Sequence, residues 1–344
     1  MRQHMLSPGA LLNAQGTLHE SGYATYLVKS YDRSAIKASK MKIKEWDYYL
    51  IYNDDFGIAL TMADNAYMGL LSASFLDFRA KTEKTLSPMV ILPFGRMKMP
   101  VSSEVGDVHF SNSKVEMEFY HEENGRRLTL NMPNFDNGFP LIADILLKNE
   151  PMDSMVIVTP FKETPKAFYY NQKIIGMRAE GVIIHQGIQI EVSSDSTFGL
   201  LDWGRGVWTY DNTWYWSAGQ GLIDGHVFGF NLGYGFGDTQ DATENMIFWD
   251  GIAHKLEEVT FKIPQNADGS DDYMKPWLFT SNNGRFEALF TPILDRAAYT
   301  SLAILFGDQH QVFGTFDGTA ILDDGTKVVM KHFLGFAEKV RNKW

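Results

Sequence analysis

The chain has 344 residues, of which 44% are hydrophobic and 21% charged, with a formal net charge of −11 and no cysteine. That composition belongs to a folded globular protein. It removes disulfide frameworks, thiolate nucleophiles and sulfur-built zinc sites, and the acidic balance excludes a general nucleic-acid binder, which must neutralise phosphates.

Residues 1–16 do not read as a secretory signal, because Ser7, Pro8, Gly9 and Asn13 interrupt every apolar run. No stretch approaches the roughly 18–20 apolar residues of a membrane-spanning helix. The expectation is a cytoplasmic protein without a membrane span.

Further along, short runs rich in Val, Ile, Phe, Tyr and Trp alternate with Gly and Asn/Asp turns, the pattern of an all-β protein. Strands are predicted at Asp47–Tyr52, Phe56–Met62, Lys114–Tyr120, Arg127–Met132 and Val182–Val192. Glu122-Glu123-Asn124-Gly125 reads as a hairpin tip with Asn-Gly in a type I′ turn, and Asp250-Gly251 and Asp324-Gly325 as two more. Helical spacing of Phe333, Phe336 and Val340 predicts a short C-terminal helix over Phe333–Lys343, and a second helix is considered at Leu141–Leu147. So many strands suggest closed barrels or stacked sandwiches. Prolines crowded between Glu150 and Pro165 divide the chain into two β domains, 1–165 and 166–344, the second carrying the expected pocket.

The most informative stretch runs from Asp202 to Leu256. Trp203, Trp208, Trp214 and Trp216 are half of the 8 tryptophans. In a strand, Trp214 and Trp216 share one face and Tyr215 takes the other. In Val227–Phe236, Phe228, Phe230, Leu232, Tyr234 and Phe236 line one face. Val227, Gly229, Asn231, Gly233 and Gly235 line the other, which is nearly flat. Interior strand glycines mark a close approach by something bulky, here a ligand or a Trp indole, with Asn231 as the polar handle. A turn at Asp250-Gly251 sets Trp249 opposite Ile252, Ile247 opposite His254 and Asn245 opposite Leu256. His254 is then a satisfied core histidine or a proton carrier in a cavity. Arg205, between two glycines, needs a carboxylate partner, for which Asp202, Asp238 and Glu244 are available. Further on, Arg285, Glu287, Asp295 and Arg296 alternate in sign and read as cross-strand pairs.

No GxxxxGK[ST] loop, no GxGxxG before a helix, no HExxH and no GxSxG elbow is present. Neither nucleotide, metal nor other cofactor is expected.

Several motifs in order carry a family resemblance: Trp46-Asp-Tyr-Tyr49, Leu60-Thr-Met-Ala-Asp64, Asp202-Trp-Gly-Arg-Gly-Val-Trp208, Phe228-Gly-Phe-Asn-Leu-Gly-Tyr-Gly-Phe-Gly-Asp238, Glu244-Asn-Met-Ile-Phe-Trp-Asp-Gly251 and Gly335-Phe-Ala-Glu338. Over nearly its whole length the sequence resembles the bacterial family DUF2804. More distantly it is similar to the two-barrel, lipocalin-related group of carotenoid 1,2-hydratase, kievitone hydratase, tocopherol cyclase and AttH. The resemblance implies two calycin-like β barrels with a site in or between them, and acid-catalysed hydration or cyclisation of unsaturated molecules. No catalytic residue of that group is carried over.

Three functions follow as alternatives. The first is a cofactor-independent acid–base enzyme of hydratase, lyase or cyclase type. Asp202, Arg205, Asp238, Glu244 and His254 are its catalytic candidates, and Trp203, Trp208, Trp214, Trp216, Asn231, Asn245 and Trp249 its substrate contacts. The second is a glycoside-cleaving enzyme with paired carboxylates and Trp stacking. The third is a non-catalytic lipid or pigment binder. The expected partner is a small molecule, apolar or sugar-containing, and exposed strand edges offer a route to a homodimer.

Overall fold

The segment Ile43–Tyr52 forms a strand with both faces buried, because Tyr49 and Ile51 point into one core while Tyr48, Leu50 and Tyr52 point into another. This double burial runs through the centre of the molecule. The computed structural model describes residues 3–302 and 305–344. Its architecture is all-β and calycin-like, two curled sheets of 14 and 9 strands beside a 2-stranded parallel pair.

The first sheet holds Ile43–Tyr52, Phe56–Asp64 and Met68–Asp77 as an antiparallel meander on one side. Phe198–Val207 pairs with Ile43–Tyr52, and Phe168–His185 pairs with Phe198–Val207. Phe139–Lys148, Gly125–Asp136 and Glu116–Glu122 continue the sheet. The long strand Phe168–His185 bulges between Ile174 and Met177. Gly176 sits in the bulge at φ +93°, against Val227 of the second sheet, where a Cβ would come within 3.1 Å of that side chain. Glycine tolerates both the backbone angle and the close approach.

The second sheet is built on Asp211–Ile223, His226–Tyr234, Phe286–Leu302, Leu305–Ile321 and Lys327–Lys343. The change of sheet falls between Val207 and Asp211, well after the proline-rich stretch at 150–165. One core fills the first sheet and a second fills the other. A third, of Tyr48, Tyr52, Tyr169, Trp208, Trp216, Phe236, Phe313, Phe336 and their neighbours, lies in the seam between the sheets.

Two expectations are overturned. Lys327–Lys343 is a strand, and so is Phe139–Lys148; the described residues hold only two short 3-10 turns. The helical reading of Phe333–Lys343 fails because both faces of the strand are buried from Phe333 to Glu338. Leu334 and Phe336 face the seam while Phe333 and Ala337 face the interior of the second sheet. Alternation disappears in a strand buried on both sides.

Turn positions are better matched than turn types. Asp250 and Gly251 both have positive φ, +48° and +80°, and set Trp249 opposite Ile252 and Ile247 opposite His254. The Glu122–Gly125 hairpin forms, but Glu122 pairs with Gly125, so its turn residues are Glu123 and Asn124. Ile321 pairs with Lys327 around Asp324-Gly325, a longer loop than the two-residue turn expected.

Candidate functional site

The glycines and tryptophans of Asp202–Trp208 serve two different faces. Alternation along Phe198–Val207 sends Trp203 and Arg205 into the core of the first sheet, and Asp202 toward the seam. Gly204 faces the seam and is covered by the Trp46 indole, so close that a Cβ would lie 1.9 Å from the ring.

Within the first sheet, Arg205 is fully buried. It pairs with Asp47 at 2.9 Å and donates to the backbone oxygens of Trp46 at 2.7 Å and Pro100 at 2.7 Å. Its guanidinium lies 4.4 Å from the Trp203 ring. Every arm of the fork is engaged, so Arg205 is a structural anchor there. The adjoining cavity, bounded in part by Asp47, Tyr49, His121 and Arg126, is narrow. Its space of about 10 Å³ suits roughly one water.

The seam has different chemistry. The Lys173 ammonium pairs with Asp202 at 2.9 Å and lies 4.0 Å from the centre of the Trp216 ring. Asn171 donates to the same Asp202 oxygen at 2.6 Å. The Trp216 indole donates to Asn231 at 2.8 Å, and Asn231 donates to the Glu244 carboxylate at 3.3 Å. The flat glycine face of His226–Tyr234 is thus occupied. Ile175 covers Gly229, the Trp216 indole meets Asn231, and Glu244 lies on Gly233. A second chain runs beside the first. Tyr48 donates to Gln311 at 3.3 Å, Gln311 donates to Glu338 at 3.2 Å, and the Trp214 indole donates to Glu338 at 2.9 Å.

Two of these carboxyls, Glu338 and Glu244, are shifted by burial. Burial pushes Glu338 up to about 7, against the opposing effects of the Trp214 hydrogen bond and the charges of Arg296 and Lys173. Burial also raises Glu244, partly offset by Lys173 and Asn231. Tyr169 is buried in the same seam. Burial raises its phenol well above the usual range, and Glu244, Asp202 and Glu338 all add to the rise. Around the cluster, Trp208 stands edge-on to Trp46 at 5.3 Å, Trp214 at 5.7 Å and Phe236 at 4.8 Å. The Trp208 indole nitrogen is buried with no partner among the described residues. A neutral carboxylic acid in such surroundings can donate a proton, and indole faces favour a developing cation.

Of the residues expected from sequence, Asp202, Glu244, Trp208, Trp214, Trp216 and Asn231 meet in the seam. The others lie elsewhere. Arg205 and Trp203 belong to the first sheet's core. Asp238 is on a loop, its backbone N–H bonded to Pro160 and its carboxylate 3.4 Å from Lys162. His254 accepts the Asp323 backbone N–H at 3.2 Å. Asn245 bridges Gly233 and Glu257 at 2.7 Å each. Trp249 stacks on His226 at 4.7 Å. The space inside the second sheet is filled by rings, with Phe228, Phe230, Trp277, Phe279, Phe286, Phe290 and Phe316 fully buried.

Sequence reading missed Lys173, Tyr169, Asn171, Tyr48, Gln311 and Glu338 as members of the site. A signal existed for two of them. Lys173 is a lone cation within Phe168–Met177, and Glu338 a lone acid closing the apolar run from Phe333. A charge in such a run requires a partner. Among the described residues no group of three or more His, Asp or Glu is placed to hold a metal ion, and no helix is long and apolar enough to cross a membrane.

The fold and the seam define an all-β protein of two curled sheets with buried titratable groups where they meet. The chain belongs to the DUF2804 family, described as a domain of unknown function, whose model matches residues 2–344. No curated protein matches it in sequence. Among solved structures it is similar to a putative AttH from Nitrosomonas europaea, with 15% identity, coverage of 92% of this chain and 98% of that one, and a TM-score of 0.53. That likeness is one of fold. Kievitone hydratase from Nectria haematococca matches with 11% identity over 92% of this chain and 96% of that one, at a TM-score of 0.48. CghA with Sch210972 matches with 11% identity over 96% and 97%, at 0.42.

Proposed function

We propose that the protein is a cofactor-independent acid–base enzyme of hydratase, lyase or cyclase type, acting on a small, partly apolar molecule in the seam between the sheets. The observation that carries this reading is the pair of buried hydrogen-bonded chains, Trp216–Asn231–Glu244 and Tyr48–Gln311–Glu338, that hold two carboxyls inside an aromatic wall. Glu338 is the proton donor, because burial keeps a share of it neutral near pH 7. Trp214 and Gln311 orient the Glu338 carboxyl, and the Asp202–Lys173 pair fixes the charge balance beside it. Trp46, Trp208 and Trp214 exclude water and face the electron-poor intermediate.

Glycoside cleavage is the second reading, and the meeting of more than one carboxyl favours it. The apolar lining of the seam by Phe236, Phe313 and Phe336 favours the first.

The test is turnover of a panel of unsaturated alcohols, enones and polyenes in oxygen-18 water, read by mass spectrometry, beside a panel of aryl glycosides. The expected result is label incorporation or cyclised product from the unsaturated panel, falling by about 10²–10⁴-fold in Glu338→Gln. Glycoside hydrolysis that depends on Glu244 and Asp202, with no reaction of the unsaturated panel, would replace this reading with the second.

A further inference from the structure

A groove on the first sheet, outside the seam, has no part in that reaction. Between Glu83 and Glu104 the chain carries no acidic residue but three cations, Lys84, Arg96 and Lys98, in a protein whose net charge is −11. Lys84 faces Asp136 at 3.8 Å. Arg96 donates to the backbone oxygen of Leu92, and neither it nor Lys98 has a carboxylate at ion-pair distance among the described residues. Both line a groove of about 430 Å³, within the size range of small-molecule sites.

The rest of the groove decides what would enter it. Val90, Met97 and Phe110 give it an apolar wall. Asp107 also borders it, but that carboxylate accepts the His121 backbone N–H at 3.0 Å and lies 3.5 Å from the His121 ring. His109 also lines it, with the Glu118 carboxylate 3.9 Å from its ring. An arginine fork and a lysine point charge beside an apolar surface match an anionic head joined to a hydrocarbon body. An inorganic anion would leave that wall in water, and a cationic amphiphile would be repelled.

We propose that this groove binds an amphiphilic organic anion, with its carboxylate or phosphate head on Arg96 and Lys98 and its hydrocarbon body against Val90, Met97 and Phe110. The site is independent of the seam and of the reaction proposed there. Met89 and Ile91 flank it, 66% and 80% exposed, so the test must separate a free amphiphile from a lipid surface.

The experiment is calorimetric titration of the full chain with dodecanoate below its aggregation concentration, with acetate and dodecyltrimethylammonium as controls. Dodecanoate is expected to bind saturably, once per chain, and more weakly as salt is raised. Acetate and the cationic amphiphile are expected to give no saturable heat. Arg96→Ala with Lys98→Ala should weaken dodecanoate by about tenfold or more. Val90→Glu should do the same by placing a like charge on the wall, and thermal melting reports that either variant is folded. Several outcomes overturn the proposal: no saturable dodecanoate binding, unchanged affinity in folded variants, or equal binding of dodecyltrimethylammonium. Co-sedimentation with phosphatidylglycerol vesicles in the absence of dodecanoate binding also overturns it, assigning the patch to a lipid surface.

Discussion

Lys173 and Asp202 form an ion pair of 2.9 Å in the seam, with side-chain exposures of only 3% and 11%. They are cross-strand neighbours, so the pairing is set by sheet register. Removing one partner of a buried pair leaves the other charge uncompensated. Asp202→Asn is therefore expected to destabilise the protein by about 3–5 kcal/mol, and adding Lys173→Met should recover much of that loss. Urea unfolding of the single and double variants checks this. Additive losses would show that the charges do not depend on one another.

The Glu338 carboxyl, raised from 4.5 to about 7, makes stability depend on pH. The folded state holds this proton more firmly than the unfolded chain does. Its contribution is complete below pH 4.5 and is lost as pH rises through 7. The size is on the order of 3 kcal/mol. Thermal melts across this window should show the parent losing more stability with rising pH than Glu338→Gln. Parallel curves would remove Glu338 from the titrating groups.

Gly204 offers a steric test of the seam. Its added Cβ would lie 1.9 Å from the Trp46 ring, so Gly204→Ala forces the indole to move. A destabilisation of about 1–3 kcal/mol is expected, with a change in tryptophan fluorescence. Trp46→Leu in the same chain should relieve most of the strain. A neutral Gly204→Ala would mean that the indole does not rest on this backbone.

Two carboxylates separate the loop from the seam. Asp238→Asn and Glu244→Gln are both expected to leave the fold intact. Asp238 pairs with Lys162, itself 61% exposed, and accepts the Gln240 backbone N–H at 3.2 Å within its loop, so the substitution should change stability by less than about 1 kcal/mol and leave turnover unaltered. Glu244→Gln should alter turnover or binding. Circular dichroism and the label-incorporation assay distinguish the two; equal effects would contradict the placement of the site.

Phe230 tests the filled interior of the second sheet. It is fully buried against Phe286, Phe316 and Phe333, so Phe230→Ala should cost about 3–5 kcal/mol. In the folded fraction, turnover should persist. Loss of turnover without loss of stability would place the reaction inside this sheet.

Sequence alone determined the all-β class, because turn residues and short β-rich runs report local backbone preference. It also located the Asp250-Gly251 hairpin, whose register follows from the turn itself, and marked Asp202, Glu244, Trp216 and Asn231 as worth watching. What it left undecided was which side of each central strand meets which core. Along Phe168–Met177, Phe198–Val207 and Phe333–Glu338 both faces are buried, so alternation carries no contrast. Asp202 and Arg205 are three residues apart, yet they serve different cores, since odd spacing puts them on opposite faces. Lys173 and Glu338 are far apart in the chain and act in one seam because two sheets pack there. That packing is a long-range event, and only the tertiary structure turned a scattered set of aromatic and acidic residues into a single buried cluster.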